Sequence, residues 1–477
     1  MAVEHLNIGE SLAGLLVDED DATPYIGATL RLEEPVGVRV EVPYVPHPSI
    51  KQFEDVTRWF RDQSPPENLL LFTADGPITL YRNRWMGHSE PSGVRLSLGT
   101  IAPAETVLAE RDGALADPLE IKTVQSRLDG LNRWIAASAV SDDADRDDAG
   151  HPLRYRLEVE SQTVAEWQQG AATMSIRSGW QITCPEDAYS RTQIIHDNFV
   201  IQSEFESSPR SFYDHFVEHR KLASLLVFMF AKPISFREHK VRDERFAARL
   251  MSGEIYNHPF VELISELSVR ERSKPVLSRD DLGRPIASLS QVTPDGLATW
   301  ASNYDTWKRF ILPVAGVLGR PRAFIEDVIM STSVGLEAAG QLIGEREGEV
   351  ETYGRGNRPS VATYIFRCLD LLGVQWGDYI QSDVGLARPS ASNYNDVKHF
   401  DRGDFPAHEE TLAVADVNRL VARLLALHLT GQGDALLEPY RRGENLWSIQ
   451  QLFEALKVRV DHAGKWRHSY HNDIAQH

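Results

Sequence analysis

The chain has little cysteine, no excess of positive charge and no long apolar run. Of its 477 residues only Cys184 and Cys368 are cysteines, and they lie far apart in the sequence. This spacing excludes a disulfide framework, a cysteine-based zinc cluster and a CxxC redox motif, and it favours a reducing, cytoplasmic location. The longest apolar runs, Leu222 to Ala231 and Phe310 to Leu318, are about half a membrane span. We therefore expect neither a signal peptide nor a transmembrane helix.

Negative charge predominates. There are 50 Lys and Arg residues against 69 Asp and Glu residues, so the formal net charge is -19. Such a field repels polyanions over most of the surface and excludes a protein that coats nucleic acid broadly. Contact with nucleic acid would require a local basic site.

Several common catalytic motifs are missing from the sequence. Gly354-Arg355-Gly356 lacks the third glycine of a dinucleotide-binding loop, and no G-x-x-x-x-G-K-[ST], H-E-x-x-H or G-x-S-x-G sequence occurs. P-loop nucleotide hydrolysis, zincin chemistry and a serine-hydrolase nucleophile elbow are therefore excluded. We expect no cofactor and no bound metal.

The pattern of apolar residues predicts an α+β protein. Residues 1–300 contain short alternating segments such as Gly27 to Leu32 and Gly37 to Val42, which are typical of half-buried strands in a sandwich-like or barrel-like antiparallel domain with packed helices. Apolar residues at helical spacing predict a helix from Phe212 to Phe230 that packs on this sheet. Residues 301–477 are almost wholly helical in pattern, which predicts an all-α bundle of four or five helices.

An acidic run lies between two predicted strands. Ser141 to Gly150 carries five aspartates and one arginine. The run lacks the spacing of a calcium-binding loop, so we expect a solvated loop.

The densest group of polar and ionisable side chains precedes the third apolar helical stripe of the C-terminal part. It reads Asn393-Tyr394-Asn395-Asp396-Val397-Lys398-His399-Phe400-Asp401-Arg402. We expect a helix to begin here, in which case Asn395 and His399, four residues apart, share one face and Lys398 projects within about 100° of His399. An amide, a cation and an imidazole are what RNA cleavage without a metal requires: a group of near-neutral pKa to move protons and a cation to stabilise the extra charge on the phosphate.

A plainer interpretation of the same residues is available. A Lys-His dipeptide is more often a solvated surface pair, and Asn393 would then be a helix N-cap.

The arrangement resembles the HEPN superfamily, whose ribonuclease members carry R-x(4–6)-H in a helical bundle, commonly with Asn directly after the Arg. Asn395 matches that Asn and His399 matches the His, whereas Tyr394 stands where the Arg is expected. Lys398 or Arg402 would supply the missing charge, and some branches of the superfamily use an N-x-x-K-H form.

The resemblance extends to ApeA-type anti-phage proteins. Glu326 to Gly344 is similar to the first helix of their HEPN domain, with Glu337 at the position of its acidic residue, and the N-terminal part is similar in layout to the ApeA N-terminal domain. The resemblance implies a metal-independent endoribonuclease that acts on cellular RNA, with tRNA as one candidate, during phage infection. It also implies a homodimer or higher homo-oligomer formed through the helical domain, and an N-terminal domain that senses a phage-derived trigger or restrains the nuclease.

The expected site has three groups of residues. They are the catalytic residues His399, Lys398, Asn395 and Arg402, the substrate contacts Arg388, Asn393 and Tyr394, and the supporting residues Glu337 and Asp396. Because Tyr394 replaces the usual Arg, a catalytically inactive HEPN protein that serves as an RNA-binding or dimerisation scaffold is the alternative.

Overall fold

The computed structural model describes residues 5–18, 25–89, 95–399 and 405–468. It confirms an α+β protein with a large N-terminal sheet and a C-terminal helical region. The N-terminal elements in chain order are β1 (Ser11–Val17), β2 (Ile26–Glu33), β3 (Gly37–Tyr44), α1 (Glu54–Arg61), β4 (Leu69–Thr73), β5 (Gly76–Tyr81), β6 (Arg84–Ser89), β7 (Ser97–Ala102), β8 (Glu105–Val107), β9 (Glu120–Ile121), β10 (Thr123–Leu128), α2 (Leu131–Ile135), β11 (Val140–Arg146), β12 (Pro152–Val159), β13 (Thr163–Gln169), β14 (Ala172–Thr183), β15 (Ile194–Glu204), β16 (Arg210–Ser211), α3 (Phe212–Phe230), β17 (Phe236–Arg242), β18 (Ala248–Arg249), β19 (Ile255–Asn257), β20 (Val261–Ser265), α4 (Val269–Arg272) and α5 (Arg279–Leu282).

The C-terminal region is helical and ends in a short hairpin. Its elements are α6 (Leu289–Leu318), α7 (Ile325–Ile343), α8 (Val361–Leu372), α9 (Asp383–Lys398), α10 (His408–Leu427), α11 (Gly433–Arg441), α12 (Trp447–Leu456), β21 (Val458–Val460) and β22 (Trp466–His468). A π-helical turn, His428–Gln432, joins α10 to α11. Among the described residues this makes seven α-helices rather than the four or five expected, because short helices such as α11 carry too few apolar residues to show a stripe.

Within the described ranges, fourteen strands form one open antiparallel sheet in the order β13-β14-β15-β10-β17-β20-β8-β5-β4-β1-β2-β3-β7-β6. The strands expected at Gly27 to Leu32 and Gly37 to Val42 are confirmed as β2 and β3, and their buried side chains alternate with more exposed ones. One apolar cluster lies among the first strands and α1, and a larger one runs from β10, β14 and β15 through α3 into the C-terminal helices. The domain boundary expected at residue 300 falls inside α6. The larger apolar cluster contains residues from both sides of this boundary, so the N-terminal and C-terminal regions share a core.

The first part of the acidic run, residues 141–146, lies in strand β11, so the expected loop is wrong there, and only residues 147–150 form a turn. Asp143 pairs with Arg156 and Asp145 with Arg154 across the β11–β12 hairpin, and most of its side chains are exposed. Opposite charges facing one another across an antiparallel pair stabilise strands whose own composition disfavours them.

Helix α3 has the bounds predicted from the sequence, and it packs on the sheet through a buried polar network. Ser203 Oγ lies 2.7 Å from His215 Nδ1 and 2.8 Å from His219 Nε2, and Ser126 Oγ lies 2.7 Å from the Nδ1 atoms of His219 and His239. Burial lowers the pKa of His215 to about 4 and of His239 to about 3, and it lowers the pKa of His219 well below its ordinary value. We call Ser126, Ser203, His215, His219 and His239 the histidine network. Its three imidazoles are therefore neutral at physiological pH.

A buried arginine joins the helical region to α3. The Arg423 guanidinium on α10 donates to the carbonyl oxygens of Phe228 and Met229, at 2.8 and 2.6 Å. These are among the last carbonyls of α3, which have no partner within that helix. Burial lowers the pKa of Arg423 to about 10, so it remains charged at neutral pH.

In the part of the chain that the structure describes, no helix combines the length and hydropathy needed to cross a bilayer.

Candidate functional site

Helix α9 carries most of the predicted site. It begins where the Ser382 hydroxyl accepts a hydrogen bond from the Gly385 N–H at 2.9 Å, and it ends at Lys398. His399, with φ −115° and ψ 98°, is the first residue past the helix, and its N–H donates to the Asn395 carbonyl at 3.0 Å. The polar group therefore ends a helix, and the prediction that it begins one is wrong. The earlier turns of α9 are built from Ala, Ser, Gly and Pro389, so they show no apolar stripe.

Three polar residues of the helix, together with His399 directly after it, follow one line along the helix surface. Arg388, Ser392, Asn395 and His399 follow an i, i+4, i+7, i+11 spacing. Asn395 is half-buried and His399 is exposed. Arg388 and Lys398 are ten positions apart, which is about 15 Å along the helix, so Arg388 is aligned with the expected catalytic group but does not adjoin it.

Lys398 rests on Tyr394. The Lys398 Nζ lies 5.2 Å from the centre of the Tyr394 ring, within the range of a cation–π interaction. Lys398 is exposed, whereas Tyr394 is only 2% exposed and packs in an apolar cluster with Val328 and Val414. The expected contact between Tyr394 and substrate is therefore not supported by its placement. The buried ring has no free face for a base and instead positions the ammonium group.

Arg388 is tied to two other segments. Its guanidinium donates to the carbonyl oxygen of Ala463 at 3.3 Å and to that of Glu351 at 2.5 Å. The turn of the β21–β22 hairpin lies directly on α9, since a Cβ added to Gly464 would come within 2.9 Å of the Arg388 Cβ. Both hydrogen-bond acceptors are neutral, so these contacts leave the positive charge of Arg388 uncompensated.

A buried ion pair supports the segment that receives Arg388. Glu349 and Arg367 are 4% and 6% exposed, and two parallel hydrogen bonds of 2.7 and 2.8 Å join them. These hydrogen bonds from Arg367 lower the pKa of Glu349 to about 2. The pair fixes the turn Glu349–Thr352 on α8, and this turn includes the Glu351 carbonyl.

A cavity of about 250 Å³ lies between α9, the start of α10 and the hairpin. We call it the α9 cleft, and its lining includes Arg388, Ser392, Asn393, Asp396, Glu410 and Trp466. Asn393 is 3% exposed, and its Nδ2 donates to the Thr411 hydroxyl at 3.0 Å. Because that hydroxyl donates in turn to the Ala407 carbonyl, the amide orientation is fixed, and the buried Asn393 Oδ1 has no hydrogen-bond partner among the described residues. Asn393 is thus not the N-cap of α9.

The α9 cleft is not itself a basic site. Arg388 faces two carboxylates, Asp396 and Glu410, in its lining. The Ser392 hydroxyl donates to Asp396 at 3.2 Å, and Glu410 lies 3.1 Å from His468 Nε2. The exposed ammonium group of Lys398 and the exposed imidazole of His399 lie instead at the end of α9, beyond the cleft. A phosphate would be attracted to that end, and an uncharged group with hydrogen-bond donors suits the cleft.

Two other predicted residues, Glu337 and Arg402, do not appear among the described residues of this site. Glu337 is half-buried on α7 and is absent from the described lining of the α9 cleft. Arg402 lies outside the described residues.

The sequence did not reveal Glu410, Trp466 or His468 as neighbours of the site. Trp466 also packs against Phe453, with ring centres 6.4 Å apart. Glu410 and Trp466 line the α9 cleft, and His468 contacts Glu410. These contacts arise from the long-range packing of α10 and the C-terminal hairpin, for which no local sequence signal exists.

Comparisons with protein-family models, with curated proteins and with solved structures found no match to this chain. The resemblance to HEPN and ApeA-type proteins therefore stays a prediction.

Proposed function

We propose that the chain is a metal-independent endoribonuclease whose catalytic residues lie at the C-terminal end of α9. The observation that carries the proposal is the exposure of Lys398 and His399 at the helix end, next to a cleft with an unpartnered buried acceptor. An ammonium held by an aromatic ring and an exposed imidazole are suited to in-line phosphoryl transfer from a ribose hydroxyl.

The chemistry assigns a role to each group. His399 takes the proton of the ribose 2′-OH, whose oxygen forms a new bond to phosphorus while the bond to the 5′ oxygen breaks. The leaving 5′ oxygen takes a proton from solvent water and His399 releases its proton to solvent, so the products are a 2′,3′-cyclic phosphate and a 5′-hydroxyl end. Lys398 stabilises the added negative charge on the phosphate, with Arg402 as a second cation, and Asn395 orients the phosphate or the imidazole.

The α9 cleft is proposed to receive a base next to the cleaved phosphate. The Asn393 side chain lies in the lining of the cleft beside the base, and the partly buried Trp466 offers an aromatic surface for stacking. Asp396 and Glu410 add acceptors, which favours adenine, cytosine or guanine over uracil. Arg388 positions the cleft by holding the hairpin and the Glu351 turn.

We further propose that the protein forms a homodimer through its helical region. Helix α7 exposes Val334 and Leu342, 41% and 46% accessible, with the partly exposed Ala338 between them at i, i+4, i+8 spacing. An apolar stripe on an otherwise polar helix surface favours association.

The resemblance to ApeA-type proteins supports a role in anti-phage defence, with cellular RNA as the substrate and a phage-derived trigger acting on the N-terminal region. The alternative is a catalytically inactive HEPN scaffold that binds RNA or dimerises. The buried Tyr394, which stands where the family has an arginine, favours this alternative.

An assay of labelled-RNA cleavage by the full-length protein in EDTA distinguishes the nuclease from the inactive scaffold. His399→Ala should lower the rate by about 10²-fold or more, because the proton-transfer group is lost. His151→Ala, which removes an exposed histidine from the β11–β12 hairpin, is the matched control and should leave the rate unchanged. Equal rates for His399→Ala and the parent would contradict the assignment, and RNA binding without cleavage by the parent would support the scaffold.

A further inference from the structure

A second and larger cavity lies in the N-terminal sheet, on the face opposite α3. We call it the sheet cleft, and its volume is about 730 Å³. Its floor is a row of paired residues on four neighbouring strands, Gln202, Gln125, Lys240 and Glu262. Successive side chains of a strand point to opposite faces of the sheet. The side chains of the histidine network therefore lie on the face that packs against α3, and those of the floor residues lie on the opposite face, in the cleft.

The cleft has more positive than negative side chains, in a chain of net charge -19. Among the described residues, its lining contains four cations, Arg127, Arg177, Lys240 and Arg242, and two carboxylates, Glu238 and Glu262. The difference of +2 attracts an anion.

Both carboxylates already have partners. Glu238 lies 3.2 Å from Arg127 and 3.1 Å from Lys240, and Glu262 lies 2.5 Å from Arg272, which approaches from outside the cleft, and 2.8 Å from His5. Arg177 and Arg242, by contrast, have no carboxylate partner among the described residues. They are the cations available to a ligand.

A metal site at the same place is less favourable. His5, Glu238 and Glu262 bring ligand atoms within 4.8 Å of one another. However, Lys240, Arg127 and Arg272 already neutralise these carboxylates, so a divalent cation would have to displace or adjoin several positive charges.

Aromatic and amide groups complete the lining. The Arg242 guanidinium lies 4.5 Å from the centre of the Phe260 ring, and Trp180 is 43% exposed. The Gln125 amide donates to Gln202 at 2.9 Å, which aligns a pair of side-chain amides along the floor. Planar stacking surfaces, guanidinium groups and amides within one cavity match a ligand that has both a heteroaromatic ring and phosphate.

We propose that the sheet cleft binds a nucleoside phosphate. Arg177 and Arg242 hold the phosphate, Trp180 or Phe260 stacks on the base, and the floor amides contact the polar edge of the base. The volume lies within the range of small-molecule sites in proteins. The proposal is independent of RNA cleavage at α9, since it concerns a different surface and a binding equilibrium.

Isothermal titration calorimetry of the full-length protein tests this proposal, with ATP, GTP and cyclic di-AMP as probes and with adenosine and inorganic phosphate as fragments. At least one nucleotide should bind with 1:1 stoichiometry and more tightly than either fragment. Arg177→Ala and Arg242→Ala should each weaken it by about tenfold or more, since each loses a charge-assisted contact. Arg242→Lys keeps the charge but loses stacking, and it should also weaken binding.

Arg154→Ala is the matched control, because Arg154 is an exposed arginine on β12 outside the described lining of the cleft. Its affinity should equal that of the parent. No binding of any of the three nucleotides at millimolar concentration would overturn the proposal. The proposal would also be overturned if inorganic phosphate bound as tightly as the nucleotide, or if Arg154→Ala lost as much nucleotide affinity as the cleft variants. A third contradicting result is binding of Zn²⁺ alone that depends on Glu262 and excludes the nucleotide.

Discussion

Replacing Glu349 by glutamine tests how strongly the buried ion pair holds the turn beneath Arg388. The substitution keeps the size of the side chain and removes the anion, which leaves the Arg367 guanidinium buried without a counter-charge. A pKa of about 2 in the folded chain, against 4.5 for an ordinary glutamate, corresponds to about 3 kcal/mol of stability at neutral pH. Breaking a buried pair by removing one partner typically costs about 3–5 kcal/mol, so the two arguments agree.

The measurement is urea unfolding followed by far-ultraviolet circular dichroism, with Glu347→Gln as the control. Glu347 is exposed in the same loop, so the same chemical change there should alter the free energy of unfolding by about 0.5 kcal/mol or less. Because the folded-state pKa of Glu349 is depressed, its contribution is complete above pH 4.5 and is lost as the pH falls towards 2. The difference between parent and Glu349→Gln should narrow over that interval. Equal unfolding midpoints for the two glutamine variants at pH 7 would refute the reasoning.

Three further outcomes are expected. The folded chain excludes protons from the three imidazoles of the histidine network, so the free energy of unfolding should decrease as the pH falls below 6.5. The decrease should be up to about 1.4 kcal/mol per pH unit for each histidine. Urea midpoints that stay constant from pH 7 to 5 would contradict this. Gly464→Ala should destabilise the chain by about 1–3 kcal/mol more than Gly253→Ala. Both glycines have φ near +80°, but only at Gly464 does the new Cβ meet Arg388. Equal melting temperatures for the two variants would contradict this. Val334→Asp should convert a dimer to a monomer in light scattering while Gln341→Asp, an exposed change on the same helix, does not, and a monomeric parent would refute the dimer.

Elements with a strong apolar period could be predicted from the sequence. The bounds of α3 follow from the spacing of Phe212, Phe216, Leu222 and Leu226, and β2 and β3 follow from their alternation. In each case the signal is local, because burial of one face determines the element.

The errors arose where distant residues determine the structure. The acidic strand β11 depends on arginines of β12 that face it, and no pattern within Ser141 to Gly150 indicates a strand. Helix α9 is held by packing of its small residues against neighbours: a Cβ on Gly385 would lie 2.4 Å from the Asp461 carbonyl oxygen. The sequence therefore drew attention to Asn395, Lys398 and His399 but placed them at the wrong end of a helix.

The α9 cleft could not be predicted at all. Its walls come from α9, α10 and the C-terminal hairpin, and Trp466 and Arg388 are separated by more than 70 residues. The unpartnered Asn393 Oδ1 is visible only once Thr411 is known to fix the amide. The sheet cleft has the same origin, because its charges come from four strands that are not consecutive in the chain.

The most direct test of the proposed activity is sequencing of RNA termini from cells that express the full-length protein, under the conditions that trigger it, compared with cells that express His399→Ala. We predict new 5′-hydroxyl ends, paired with 2′,3′-cyclic phosphates, that appear with the parent and disappear with the variant. The same ends at the same abundance in both would contradict the claim that RNA is cleaved at the end of α9.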